Sequence, residues 1–219
     1  MKVTQVFAIS FVIASLSTAA QAGILNNGDF ETGDFTDWTV TNQPGGSGNW
    51  FVQGTGAGTP IENFSTPILA SGGHFFADTD QTGPGSHQLS QIFNASAGDS
   101  LTLTFDAYIH NQAAVGPVGT GSSYNTVPNQ HAEVLVNGNL IYSGIFASAW
   151  QAYSFDVSSA LVNGANTLTF IEVDNQGFLN EGLDNIDLAG TQAVPEPITF
   201  SLFGAGFAGL LTLRRRKRG

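Results

Sequence analysis

Between Val3 and Leu213 the chain contains no Lys and no Arg, although all seventeen of its carboxylates lie in that span. Five of the six basic side chains are crowded into Arg214-Arg215-Arg216-Lys217-Arg218, and the sixth is Lys2. A fold built from the intervening residues has no ordinary salt bridge available to it. Each carboxylate must be solvated, hydrogen-bonded to backbone amides or bound to a cation. The net charge of −11 makes nucleic acid and anionic membrane surfaces poor partners.

The cations border an apolar segment. Val194-Pro195-Glu196-Pro197 leads into an uncharged run from Ile198 to Leu213, and the basic residues 214–218 follow. A helix over 198–213 is about 24 Å long, somewhat short of a ~30 Å hydrocarbon core, a gap that snorkelling arginines and local thinning cover. Positive charge beside a membrane segment stays on the cytoplasmic side, so the acidic body faces the other way. The front end agrees: Lys2 precedes the apolar stretch Val3 to Leu16, and Ala20-Gln21-Ala22 offers the small residues a signal peptidase accepts, which starts the mature chain at Gly23. The reading is a signal peptide over 1–22, one domain over 23–193 and a sorting segment over 194–219.

Pro-Glu-Pro, apolar helix and basic tail, in that order, resemble the PEP-CTERM sorting signal of Gram-negative bacteria. The resemblance implies export across the inner membrane and recognition by an exosortase at Val194, Pro195, Glu196 and Pro197. It further implies anchoring by the C-terminal helix until processing, then a cell-surface or extracellular location. The prolines suit that role, because they interrupt regular structure and hold the peptide extended outside the bilayer. Cysteine is absent, so the exported domain is held together without disulfides, and calcium is the candidate staple for an exported chain rich in carboxylates.

Within 23–193 the patterning is that of strands. Trp50–Val52, His87–Phe93, Ser100–Ile109, Ala132–Val136, Gln151–Val157, Thr167–Val173 and Leu183–Leu188 are rich in β-branched and aromatic residues. Leu101, Leu103 and Phe105 alternate with Thr102, Thr104 and Asp106, as in a strand with one buried face. Asn137-Gly138 between Ala132–Val136 and Leu140–Tyr142 is a strong hairpin signal. Gly45–Thr59 and Ala114–Gln130 read as loops, and Ser158–Val162 has room for one helical turn. Short strands at this spacing predict an all-β antiparallel jelly-roll β-sandwich.

Asn26-Asn27-Gly28-Asp29-Phe30-Glu31-Thr32-Gly33 with Phe35 and Trp38 resembles the opening of galactose-binding-like jelly rolls, the fold of many carbohydrate-binding modules. Gly72–Ala77, Leu89–Phe93, Leu161–Phe170 and the closing Leu183-Asp184-Asn185-Ile186-Asp187-Leu188 extend the resemblance over most of the domain. It implies that the opening and closing segments lie side by side and share a structural calcium ion, with Glu31 and Asp184 as the matching ligands. Asp78-Thr79-Asp80-Gln81-Thr82-Gly83 begins like a calcium loop but has Leu89 where the bidentate Glu would stand, so it reads as a plain loop.

A sugar site needs an aromatic face flanked by polar groups. Trp50 and Tyr124 flank glycine-rich loops and are the candidates for stacking, whereas Trp38 and Trp150 read as core. Catalysis finds little support: no Cys nucleophile or Gly-x-Ser-x-Gly elbow occurs, and no cation in the body can stabilise an oxyanion. His74, His87, His110 and His131 lack metal-ligand spacing. The expected protein is therefore an exported, non-catalytic sandwich that binds polysaccharide or builds extracellular matrix. A coat protein without a small ligand is the alternative, and a secreted hydrolase stands behind both.

Overall fold

A computed structural model describes residues 24–57, 69–81, 83–111, 130–174 and 179–192. The strands among them are β1 (Thr39–Asn42), β2 (Asn49–Gly54), β3 (Phe75–Asp80), β4 (His87–Ala95), β5 (Ser100–Asn111), β6 (Gln130–Val136), β7 (Asn139–Gly144), β8 (Gln151–Asp156), β9 (Gly164–Asp174) and β10 (Leu179–Thr191). They form two five-stranded antiparallel sheets, in the orders β1-β4-β9-β6-β7 and β2-β3-β10-β5-β8. Strands β3 to β10 alternate between the layers except at the β6–β7 hairpin, giving β3-β10-β5-β8 over β4-β9-β6-β7, which is jelly-roll order. The edge strands β1 and β2 extend one sheet each. Ser158–Ala160 makes a single 3-10 turn where the sequence allows one.

Alternation decides what β4 and β9 bury and most of what β5 buries. Leu101, Leu103, Phe105, Ala107 and Ile109 of β5 point into the core, and Leu168 and Phe170 of β9 meet them from the other sheet. Phe105 is the hub: its ring lies 5.1 Å from Phe170, 5.5 Å from Tyr153 and 5.8 Å from Phe146. Burying side chains of this size stabilises the fold by about 1.5–3 kcal/mol each. Trp38 joins the same core, as its place in the opening motif suggests, and donates from Nε1 to the Asn27 carbonyl at 2.9 Å.

Turn chemistry follows the sequence closely at the β6–β7 hairpin. Asn137 and Gly138 both take positive φ, 52° and 76°. The Asn137 side chain also closes the fold around it, donating to Asn166 Oδ1 at 2.7 Å and accepting from the Thr167 amide at 2.9 Å.

The opening and closing segments do lie side by side: the Ile186 amide donates to the Gly28 carbonyl at 2.8 Å and the Ile24 amide to Leu188 at 3.3 Å. One reading needs correction. Asp78-Thr79-Asp80 is not loop but the end of β3, and Asp78 and Asp80 are fully buried. Two acids in three residues look like a solvated turn, yet β3 lies between β2 and β10 and its acids are enclosed.

Among the described residues no helix is long and apolar enough to cross a membrane. The leader 1–22, with Ala20 and Ala22, the cleavage position Gly23 and the apolar run 198–213 lie outside the described residues.

Candidate functional site

Because strands alternate, the β2-β3-β10-β5-β8 sheet presents a second face away from the core. Antiparallel partners share a face, and the pairs Gly182 with Asp78, Gly182 with Tyr108, and Asp184 with Asp106 place these residues together on it. Tyr108 lies across β10 at Gly182, where a Cβ would come within 1.9 Å of its ring. Its hydroxyl donates to Asp78 Oδ1 at 2.9 Å. Gly182→Ala must therefore displace the tyrosine, and an expected loss of about 1–3 kcal/mol in denaturant melts checks this contact.

Three rings gather on this face. Trp150, just before β8, meets Tyr108 edge-to-face at 4.6 Å and Phe76 at 5.6 Å and 90°. Tyr108 and Phe76 are buried, whereas Trp150 is only partly so. The indole Nε1 donates to the Leu69 carbonyl at 2.7 Å.

Residues 69–75 form a strap beside these rings, and acidic side chains hold most of it. Ser71 Oγ donates to Asp106 Oδ2 at 2.8 Å, the Gly72 amide to Asp184 Oδ2 at 2.9 Å, and the His74 and Phe75 amides to Glu31 Oε1 at 2.6 and 2.9 Å. Asn185 donates to the same Asp106 oxygen at 2.8 Å. Its placement depends on a β-bulge between Asp184 and Asp187, at which Asn185 takes φ 51°. The amides of Phe75 and His74 hold the Glu31 carboxyl below its usual range. Burial pushes Asp184 up to about 6 against the amides that bind it.

A second group of polar residues lies between the sheets at one end of the core. Glu172 and Asp174 continue the inward register of β9, Glu181 that of β10 and His87 that of β4. Gln81 Nε2 donates to Glu172 Oε1 at 2.7 Å, to Asp174 Oδ2 at 3.2 Å and to the Leu179 carbonyl. Gln130 donates to Asp174 Oδ1 at 2.8 Å. Neither oxygen of Glu181, nor Glu172 Oε2, has a hydrogen-bond partner among the described residues. Burial pushes the Glu172 and Glu181 carboxyls well above the usual range and pulls His87 down. His87 Nε2 and Glu172 Oε2 lie 4.0 Å apart, and burial disfavours the charged form of each.

Glu31 and Asp184, the two ligands implied for calcium, reach the same strap through different amides. Asp184 is fully buried with an amide on each oxygen, whereas Glu31 is exposed and anchors the other end. Among the described residues no three His, Asp or Glu side chains converge where they could hold a metal ion. Trp50 is 2% exposed and packed in the core, where its ring cannot stack on a sugar. Its position beside a glycine-rich loop is misleading because the register of β2, which pairs Trp50 with Thr79 and Val52 with Ala77, turns it inward. Tyr124 lies outside the described residues, as do Val194, Pro195, Glu196 and Pro197.

Trp150, read from sequence as core, is instead the partly open ring of the cluster. The usable signal was the alternation of β5 itself, which puts Asp106 and Tyr108 on the face opposite Leu103 and Phe105. Any aromatic paired with Tyr108 across β8 then lies outside the core.

Residues 193–217 match the PEP-CTERM protein-sorting motif. The chain carries a PEP-CTERM sorting signal. That match implies export, membrane-associated sorting in a Gram-negative bacterium and processing by an exosortase. The sandwich is similar to solved structures at low sequence identity. A family 61 carbohydrate-binding module, TmCBM61, solved with β-1,4-galactotriose, aligns with a TM-score of 0.53 at 17% identity, over 78% of this chain and 100% of its own. The K3 cleaved adhesin domain of Lys-gingipain from Porphyromonas gingivalis W83 gives 0.53 at 15% identity, over 78% and 99%. The enzymatically active domain of tailspike protein 4 from bacteriophage CBA120 gives 0.51 at 9% identity, over 77% of this chain but 21% of the tailspike. No curated protein matches the sequence significantly. These likenesses establish the fold as that of carbohydrate-binding-module-like sandwiches.

Proposed function

We propose that this PEP-CTERM protein is an exported carbohydrate-binding module that acts by binding, without turnover, at the cell surface or in its matrix. The observation that carries the reading is the Trp150–Tyr108–Phe76 ring cluster on the outer face of the β2-β3-β10-β5-β8 sheet. Trp150 is its open member and offers an apolar ring to a pyranose face. Asp106 and Asn185, brought alongside by the β10 bulge, supply an acceptor and an amide for the hydroxyls. The buried pair Tyr108 and Asp78 holds the ring cluster from beneath.

Trp150→Ala tests the reading. The full-length protein, in a neutral detergent, is expected to be retained by at least one polysaccharide in a panel of galactans, glucans, mannans and hexosamine polymers. Trp150→Ala is expected to lose that retention by tenfold or more, the scale of one stacked, partly desolvated ring. Equal retention of a folded Trp150→Ala variant rejects this face. Repeating the assay with calcium and with chelator extends the test to the implied cation.

A further inference from the structure

We infer that the sugar taken at this face carries a free amine, so that the ligand class is a deacetylated hexosamine glycan rather than a uronate, sulfated or phosphorylated one. The inference rests on the binding face proposed above. Three observations point to it. Asp106 is partly exposed, and among the described residues its hydrogen bonds, from Ser71 Oγ and Asn185 Nδ2, both end on Oδ2 and none ends on Oδ1. Ser71 belongs to the strap that also holds the Trp150 indole. A carboxylate oriented by two neutral donors and lacking a cationic partner accepts best from an ammonium group.

The surroundings reinforce the selection. Asp184 follows Asp106 across the pair, Glu31 is exposed at the other end of the strap, and Asp29, Asp34 and Asp37 line the exposed opening segment. No Lys or Arg lies between Val3 and Leu213 to offset them. An anionic glycan approaching the indole would meet carboxylates of its own sign and no counter-charge. A hydroxyl at the same place would gain an ordinary hydrogen bond, and an ammonium a charge-assisted one.

Short ligands separate this site from the general attraction of an acidic protein for a polycation. The probes are a β-1,4-glucosamine trimer, its fully N-acetylated counterpart, β-1,4-galactotriose and trigalacturonate, each titrated calorimetrically into the full-length protein. The expected order places the glucosamine trimer about tenfold ahead of the N-acetylated trimer, with trigalacturonate unbound. Asp106→Asn, checked for folding by circular dichroism, is expected to bring that ratio close to one, and Asp106→Glu to restore part of it. Raising the pH until the sugar amine is neutral should erase the preference in the same way.

Each other outcome is informative. Binding of the neutral trimers with no preference for the amine overturns the inference and leaves the carbohydrate face standing. Glucosamine binding that survives Trp150→Ala is bulk electrostatics and overturns it too. Failure of every trimer, with every polysaccharide of the panel also unbound, removes the face itself.

Discussion

The full-length protein is expected to melt at a higher temperature near pH 5 than near pH 8. Burial pushes the carboxyls of Asp78, Glu172 and Glu181 well above the usual range, and the neighbouring acids Asp174, Glu181 and Asp80 push in the same direction. In the unfolded chain the same groups titrate near 4. The folded protein therefore holds protons that the unfolded chain releases, so their contribution is complete below about pH 4 and declines as pH rises. For Asp184 the decline is over by about 6, and for the deeper groups it continues beyond.

Other groups set the acid limit. His87 is pulled down by burial, so its contribution is present above its ordinary value near 6.5 and fades as pH falls. Glu31, Asp34 and Asp156 are held low by hydrogen bonds from backbone amides and hydroxyls, and their smaller, solvent-screened contributions vanish on strong acidification. The groups that act on Glu181 and Glu172 are Asp174 of β9, Asp78 of β3, His87 of β4 and Tyr142 of β7, with the Gln81 amide on Glu172. None of them is a Lys or Arg. Melting curves from about pH 4 to about pH 9 at fixed ionic strength test this, and a midpoint that rises steadily with pH would contradict it.

The sheet layout was legible in the sequence because the domain keeps a simple rule: one residue in, one residue out. Seven of the segments read as strands coincide with β2, β4, β5, β6, β8, β9 and β10, and Asn137-Gly138 gave the β6–β7 turn. The rule failed where polarity no longer tracked exposure. Asp78 and Asp80 look like turn residues, but they sit in a strand enclosed on its outer face. Thr39–Asn42 is β-branched at three of its four positions but short, mostly exposed and at a sheet edge, too brief a run to mark β1.

The binding face was harder to see for a related reason. Trp50 and Trp150 both flank irregular segments, and the sequence alone does not say which one turns inward. Register does: Trp50 pairs with Thr79 and faces the core, whereas Trp150 lies across from the outward Tyr108. Glu31 and Asp184 were found as a pair, correctly placed beside one loop. Both accept amides of residues 72–75, an arrangement that a motif cannot distinguish from holding a cation.

Glu181 is the residue whose replacement is expected to raise stability most. Its side chain is fully buried, both carboxylate oxygens lack partners among the described residues, and its inward neighbours on β10 are Leu179 and Leu183. Keeping it charged there carries a desolvation cost with no cation to offset it, and keeping it protonated carries a cost that grows with pH. Glu181→Leu removes both and fills the same volume with apolar atoms. At about pH 8 the expected gain is about 1–4 kcal/mol, a rise of about 2–4 °C in Tm for each kcal/mol. Glu181→Gln should gain less, because its amide stays buried without partners. The advantage of Glu181→Leu should shrink toward pH 4, where the wild-type carboxyl binds its proton at no cost, so the variant's pH profile is flatter. A Glu181→Leu protein that is less stable than wild type at pH 8 would mean that the carboxylate is neutralised by something other than a proton. Chelator would then have to reproduce the loss in the wild-type protein, and the acids between the sheets would be a cation site.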